Sequence, residues 1–323
     1  SDLGLGESSA ESLARHATIA GRHAEALAHF ESAGRGAHFR GAQREATAHF
    51  TSALVALEQL GDGLASAAAI RARLLLAKGA AIGGVEGWRS KSMLTHFRDA
   101  VSAAEVSGER EILFDALCWM WSIENAGGNH RASLAKAERL VATVGGFDEP
   151  TFEVAAHATL GCSLMMRGRI ADAEVEFDRA ISFRPRSYSR NSNRSRDYGL
   201  FAFSVGAIAL WHLGYPERAL ARSEEGIFHA EINGGAFDVP LARAFRAQLD
   251  VRNRDVLHAE ESAEVALAFA RRQGVAHLEC DCAIFLGWAR AMSGRLSKGA
   301  GLIEGGIARR REMGALVGWP SFL

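Results

Sequence analysis

Residues 184–199, RPRSYSRNSNRSRDYG, gather five guanidiniums (Arg184, Arg186, Arg190, Arg194, Arg196) and two rings (Tyr188, Tyr198) in one polar stretch. Guanidinium forks match anionic oxygens and aromatic faces stack on bases, so such a set could hold phosphate, a carboxylate-bearing peptide or single-stranded nucleic acid. The same composition also reads as a solvated connecting loop. A second candidate is HLECDC, with His277, Cys280 and Cys282. On a helix, residues two apart point about 200° away from each other, so the two thiols do not converge on a zinc ion, and packing as small apolar groups is the better reading. Twelve histidines supply no H-E-x-x-H pair. There is no G-x-S-x-G elbow and no G-x-x-x-x-G-K-[ST] loop, and GLGESS near the start lacks the lysine that would hold phosphates. Without an aligned acid, base or nucleophile the chain reads as non-enzymatic, with no cofactor and no metal.

The elements that would position these residues are helices. Only five prolines interrupt 323 residues, Ala and Leu dominate, and aromatics make up 8%, a composition that suits helices and starves sheets. With 37 basic against 38 acidic side chains, no global field draws the chain to nucleic acid or an anionic membrane. Four cysteines scattered among apolar residues and the lack of a secretory apolar start fit a reduced, cytoplasmic setting without disulfides. The longest apolar run, FAFSVGAIALW at 201–211, falls short of the roughly 18 residues a membrane span needs.

Residues 159–185, TLGCSLMMRGRIADAEVEFDRAISFRP, divide at Gly168 into two amphipathic halves. Leu160, Leu164 and Met165 recur at helical spacing before it, and Ala173, Phe177, Ala180 and Ile181 after it. This spacing predicts a helical hairpin, turned at Gly168 and stopped by Pro185. Similar turns fall at Trp88, Gly128, Gly214, Arg254 and Gly294, so that the intervals from 88 to 294 are 40, 40, 46, 40 and 40 residues. Trp88 and Arg254 are weaker breaks, chosen partly by the interval. Pro150, Pro240 and Pro320 stand where first helices should begin and Pro216 in the first turn of a second helix, where a missing N–H costs least. Upstream, Gly21 and Gly41 carry the same signature only 20 residues apart, which a shared or very short middle helix would explain.

The 159–185 segment resembles the tetratricopeptide repeat, with Leu160 and Gly161 on its L-G pair, Gly168 on its turn, and Ala173, Phe177, Ala180 and Pro185 on its second-helix positions. His157 stands where that repeat has a bulky aromatic. Over nearly the whole chain, LARHATIAGRHAEALAHFESAG, ALCWMWSIENAGGNHRASLAKAERL, LWHLGYPERALARSEEGI and FLGWARAMSGR followed by GWPSFL also resemble the C-terminal repeat region of large bacterial signalling ATPases. Those proteins accompany adenylate or guanylate cyclase, winged-helix or LuxR-type domains, and the segment at 210–220 is the most specific part of the likeness. The resemblance implies an all-α, tetratricopeptide-like α-solenoid, a right-handed superhelix of about seven hairpins in a single domain 1–323. Its parts would be N-terminal hairpins (7–60), degenerate repeats (64–108 and 111–147), the best-matching repeat (154–187), the arginine-rich loop (184–199) and three C-terminal repeats (200–233, 240–273 and 280–313). The ending at WPSFL, where relatives begin another helix, suggests an excised or truncated region, and an uncapped last repeat makes self-association through the terminal repeats plausible.

In such solenoids the first helix of each pair lines the inner wall. Carrying over the inward positions gives Asp115, Cys118, Ser122 and Asn125, then Cys162, Met165 and Met166, then Phe201, Ser204, Trp211 and His212, then Gln248 and Arg252, then Asp281, Trp288 and Met292. The wall is rich in Met and Trp, as adaptable peptide grooves are; several of these side chains would instead pack between helices. The resemblance implies a protein- or peptide-binding regulatory scaffold, with Met166, Trp211, Arg252 and Trp288 as foremost contacts; the balanced charge and short apolar runs argue against a membrane and leave nucleic acid only the arginine-rich loop. The alternative is a sensor for a small-molecule effector held inside the curve.

Overall fold

A computed structural model describes residues 3–61, 66–86, 90–184, 197–233 and 238–313. These residues form fifteen helices and, among themselves, no strand: α1 Leu3–Ile19, α2 His23–Phe39, α3 Gln43–Leu60, α4 Ala67–Glu86, α5 Lys91–Ser107, α6 Arg110–Ala126, α7 His130–Thr143, α8 Thr151–Met166, α9 Ile170–Ser182, α10 Tyr198–His212, α11 Pro216–Asn233, α12 Asp238–Asn253, α13 Val256–Gln273, α14 Ala276–Met292 and α15 Leu296–Glu312. They divide between two compact units, Ser1–Ile123 and Glu124–Leu323, with α6 crossing the division. In the first unit α1 to α5 pack in chain order, each on its neighbour; in the second α7 to α15 do the same, and α8, α10 and α12 each also touch the next even-numbered helix. Six pairs therefore stand as antiparallel hairpins within one unit or the other: α2/α3, α4/α5, α8/α9, α10/α11, α12/α13 and α14/α15.

One burial pattern recurs in all six. Counted from the turn, the fifth, ninth and twelfth residues of the second helix face inward: Ala46, Phe50 and Ala53; Met93, Phe97 and Ala100; Ala173, Phe177 and Ala180; Ala219, Ser223 and Gly226; Ala259, Ala263 and Ala266; and Gly299, Ile303 and Gly306, of which only Ile303 is half-buried rather than buried. The paired first helix answers with a glycine where the ring arrives. A Cβ on Gly161 would lie 2.8 Å from the Phe177 ring, one on Gly34 2.7 Å from the Phe50 ring, and one on Gly79 2.7 Å from the Phe97 ring. In the last hairpin no aromatic intervenes, and the backbones themselves close up, with a Cβ on Gly287 only 2.7 Å from the Gly299 carbonyl.

The turns explain the spacing read from the sequence. At the end of α8, Gly168 takes a left-handed φ of 76°, its N–H bonds to Met165 O at 3.0 Å and the N–H of Arg169 bonds to Leu164 O at 3.0 Å. This pair of reversed bonds terminates the helix. At the end of α12 the same two bonds are made by Arg254 and Asp255, to Val251 O and Asp250 O, although Arg254 is no glycine and sits at φ 58°. Trp88 lies outside the described residues, as do Pro185 and Pro320. Pro150 is the N-cap of α8, Pro216 opens α11, and Pro240 is in the first turn of α12.

The two early turns are also resolved. Gly21 and Gly41 flank α2, which at 17 residues is full-length rather than short. It buries Ala26 and Ala33 after Gly21 as well as Gly34 and Ala37 before Gly41, so one helix presents both signatures. His157, in the place of the expected aromatic, is buried and behaves as a ring: it stacks on Phe183 with centroids 5.6 Å apart, while Nδ1 meets Glu176 at 2.6 Å.

The close approach at Gly161 is testable. Gly161→Val would push a branched side chain against Phe177 and the Ala173 carbonyl, 3.1 Å from the new Cβ, and should destabilise the protein by about 1–3 kcal/mol in urea unfolding. Gly168→Ala meets no atom within 4 Å but must hold a positive φ, so a loss of about 1–2 kcal/mol is expected. An unfolding midpoint for Gly161→Val equal to that of the natural chain would refute the close helix contact.

Candidate functional site

Two residues before the turn, the even-numbered helices of the second unit carry Met166, His212, Arg252 and Met292. Four residues earlier on the same helices stand Cys162, Ile208, Gln248 and Trp288. Side chains four apart share a helix face, so these positions form one row at the C-terminal ends of α8, α10, α12 and α14. Met165, Met166, Gln248, Arg252 and Trp288 are half-buried, His212 is exposed, and Met292 keeps 57% of its surface.

The row condenses into a cluster where α10 meets α12. The Trp211 indole N–H donates to Asn253 Oδ1 at 2.9 Å, and the Arg252 guanidinium lies over the Trp211 ring, 6.0 Å from its centroid. Arg252 Nη1 turns back to donate to Gln248 O at 3.2 Å. His212 sits edge-on to Trp211 with centroids 5.3 Å apart. Burial, helped by the Arg252 charge, holds the His212 pKa below its ordinary 6.5, so this ring is neutral near pH 7. The Arg252 pKa is also lowered, by burial alone.

The other expected residues have more local duties. Phe201 packs edge-on to Phe245 across α10 and α12, at 6.0 Å. Ser204 and Cys162 are buried, and Asn125 Nδ2 reaches Cys162 Sγ at 3.9 Å. On α6, Cys118 is buried and Asp115 and Ser122 are half-buried. Asp281 is bonded to Arg310 of α15, and burial pushes its carboxyl up to about 6 despite that partner. Cys280 and Cys282 are buried, and burial raises both thiols above their ordinary pKa, which keeps them protonated. Among the described residues no group of three or more His, Cys, Asp or Glu is arranged to hold a metal, and no helix is long and apolar enough to cross a membrane.

The arginine-rich stretch needs one correction. Arg184 does not offer its guanidinium to an outside anion: its side chain is 5% exposed, it pairs with Asp197 at 3.1 Å and it lies over the Phe203 ring. Asp197 in turn caps α10 by accepting from Leu200 N at 3.0 Å, so the pair ties the start of that helix to the end of α9. Arg186, Arg190, Arg194 and Arg196 lie outside the described residues.

Asn253 is the residue that sequence reasoning missed. An asparagine just before a helix turn reads as a stop signal, and only its reach across to α10 shows that it sets the Trp211 ring.

No family model matches the chain, and no curated protein does either. Among solved structures, the apo form of the quorum sensor NprR from B. thuringiensis superposes with a TM-score of 0.68 at 11% identity, over 94% of this chain and 82% of that one. A signal transduction ATPase with numerous domains from Pyrococcus horikoshii, which has a tetratricopeptide repeat sensor, gives 0.54 at 14% identity, over 96% of this chain and 47% of that one. The fold is a tetratricopeptide-repeat solenoid. The chain thus spans about half the length of the ATPase it resembles. Within the tetratricopeptide-repeat arrangement, the even-numbered helices are the first helices of the repeats, and the Trp211 cluster sits on them.

The cluster predicts a titration. In NMR the His212 ring should titrate below 6.5, and in Arg252→Gln its pKa should rise toward that value, because one of the two causes of the depression is removed. A His212 pKa that Arg252→Gln leaves unmoved would mean the two side chains are not neighbours.

Proposed function

We propose that this chain is a non-enzymatic regulatory module that captures a protein or peptide segment on the even-helix face of Glu124–Leu323, as the sensory or partner-binding part of a larger signalling or transcription-regulating ATPase. The observation that carries this reading is the Trp211 cluster: an indole fixed by Asn253, with a half-buried arginine laid on it, on the face formed by first helices. Aromatic and arginine side chains held rigid in partly desolvated settings are the groups that dominate binding energy at protein interfaces. Met165, Met166, Trp288 and Met292 extend the face on either side with adaptable apolar surface. The fold supports the reading, because a quorum sensor and the sensor of a signal-transduction ATPase share it. A captured segment would bridge several repeats and bias their stacking, which is how differential contact with two arrangements becomes a signal.

The test is partner recovery from the source cell with the natural chain and with Trp211→Ala/Trp288→Ala. The double variant should recover at least tenfold less partner, a loss of about 1.4 kcal/mol or more, with an unchanged helical circular-dichroism spectrum. Equal recovery by both proteins would reject this face as the binding surface.

A further inference from the structure

We propose that the C-terminal ends of α10 and α12 form a subsite for a carboxylate group, with Arg252 and Asn253 as its donors and the Trp211 ring as its floor. The inference rests on the reading of the even-helix face as a binding surface and names the chemistry one part of it takes.

Arginines set into the second unit find carboxylates. Arg184 meets Asp197 at 3.1 Å, Arg222 meets Glu174 at 2.8 Å and Asp178 at 2.5 Å, and Arg246 meets Asp250 at 2.8 Å. Arg252 is the exception. Its contacts are the Gln248 carbonyl and the Trp211 ring, which leaves most of the five guanidinium N–H groups without an acceptor among the described residues. Its place in the last turn of α12 gives the charge some relief from the helix dipole. That relief does not supply the paired oxygens that a planar fork is shaped to bind.

Asn253 adds an independent sign. An indole N–H can only donate, so the hydrogen bond to Trp211 fixes the amide oxygen toward the ring and turns the amino group the other way. That amino group is buried and has no partner. A donor left in this state is costly to keep, and an acceptor brought beside it satisfies it. The Arg252 guanidinium rests on the same indole whose N–H Asn253 holds, 6.0 Å from the ring centroid, so both donors border one ring. With His212 neutral, one guanidinium lies against the indole, and one positive charge matches a monoanionic carboxylate better than a phosphate dianion.

The carboxylate could be the C-terminus of a peptide or that of a small acid, and one titration separates them. The probe signal is the Trp211 indole N–H resonance, assigned with Trp211→Phe. The additions are acetate, succinate, chloride at matched ionic strength, and a hexapeptide mixture in free-acid and C-terminally amidated forms. A shift with acetate or succinate and not with chloride supports the subsite. Tighter binding of the free-acid than of the amidated peptides assigns it to a peptide C-terminus, whereas a response to the small acids alone assigns it to a metabolite. Arg252→Gln should weaken whichever response is seen at least tenfold, and Asn253→Leu should weaken it while also moving the indole resonance of the free protein. The proposal is overturned if no carboxylate shifts the resonance, or if Arg252→Gln responds like the natural chain. Should that happen while Trp211→Ala/Trp288→Ala still loses its partner, the binding face stands and only the carboxylate assignment falls.

Discussion

Three of the hairpins close because one helix gives up its side chain where the other delivers a ring. Gly161 under Phe177, Gly34 under Phe50 and Gly79 under Phe97 bring paired helices to a separation that a methyl group would forbid. The small residues on either side of the ring, such as Ala173 and Ala180, keep the rest of the seam equally tight. Interiors packed to the density of organic crystals tolerate neither a gap nor an extra carbon at such a seam. The consequence reaches the even-helix face, because the seam fixes the rotation of each first helix about its axis. With that rotation set, Met166, His212, Arg252 and Met292 fall on one row.

Much of this was legible in the sequence, because glycine and alanine at fixed distances from a turn leave a trace that needs no partner to be seen. The turn at Arg254 is read partly from the interval, since arginine carries none of glycine's tolerance for φ 58°, yet it makes the same two terminating bonds as Gly168. Gly21 and Gly41 stood too close for a two-helix repeat because α2 belongs to both turns. On the site, Trp211, His212 and Arg252 are expected on one wall only by carrying over the inward positions of the resembled repeat; their contacts with one another come from the structure. Two facts escaped it because both depend on chain separated in sequence: the reach of Asn253 to Trp211, 42 residues away, and the pairing of Arg184 with Asp197 across 13 residues.

Charge in the second unit is spent mainly on holding helices to one another. Arg222 of α11 grips two acidic residues of α9 and passes beside Gly206 of α10, whose missing side chain leaves it room. Burial pushes the Glu174 carboxyl up even with that arginine at hand, which shows how far from water the pair lies. Removing one partner of such a pair typically costs about 3–5 kcal/mol, because the other charge is stranded. Arg252 of α12 stands outside this arrangement, because the neighbouring helix offers it the Trp211 ring in place of an acid. The contrast separates arginines paired with acids from an arginine laid on a ring.

The doubling of α2 has an evolutionary corollary. Because a turn recurs about every twenty residues while the two helices of a pair alternate in role, duplication or loss of forty residues returns every later helix to the same part. A change of twenty would swap the roles of all helices beyond it, carrying any row of ligand contacts to the opposite side of the array. Growth by whole pairs is therefore the lengthening that keeps every later helix in its role.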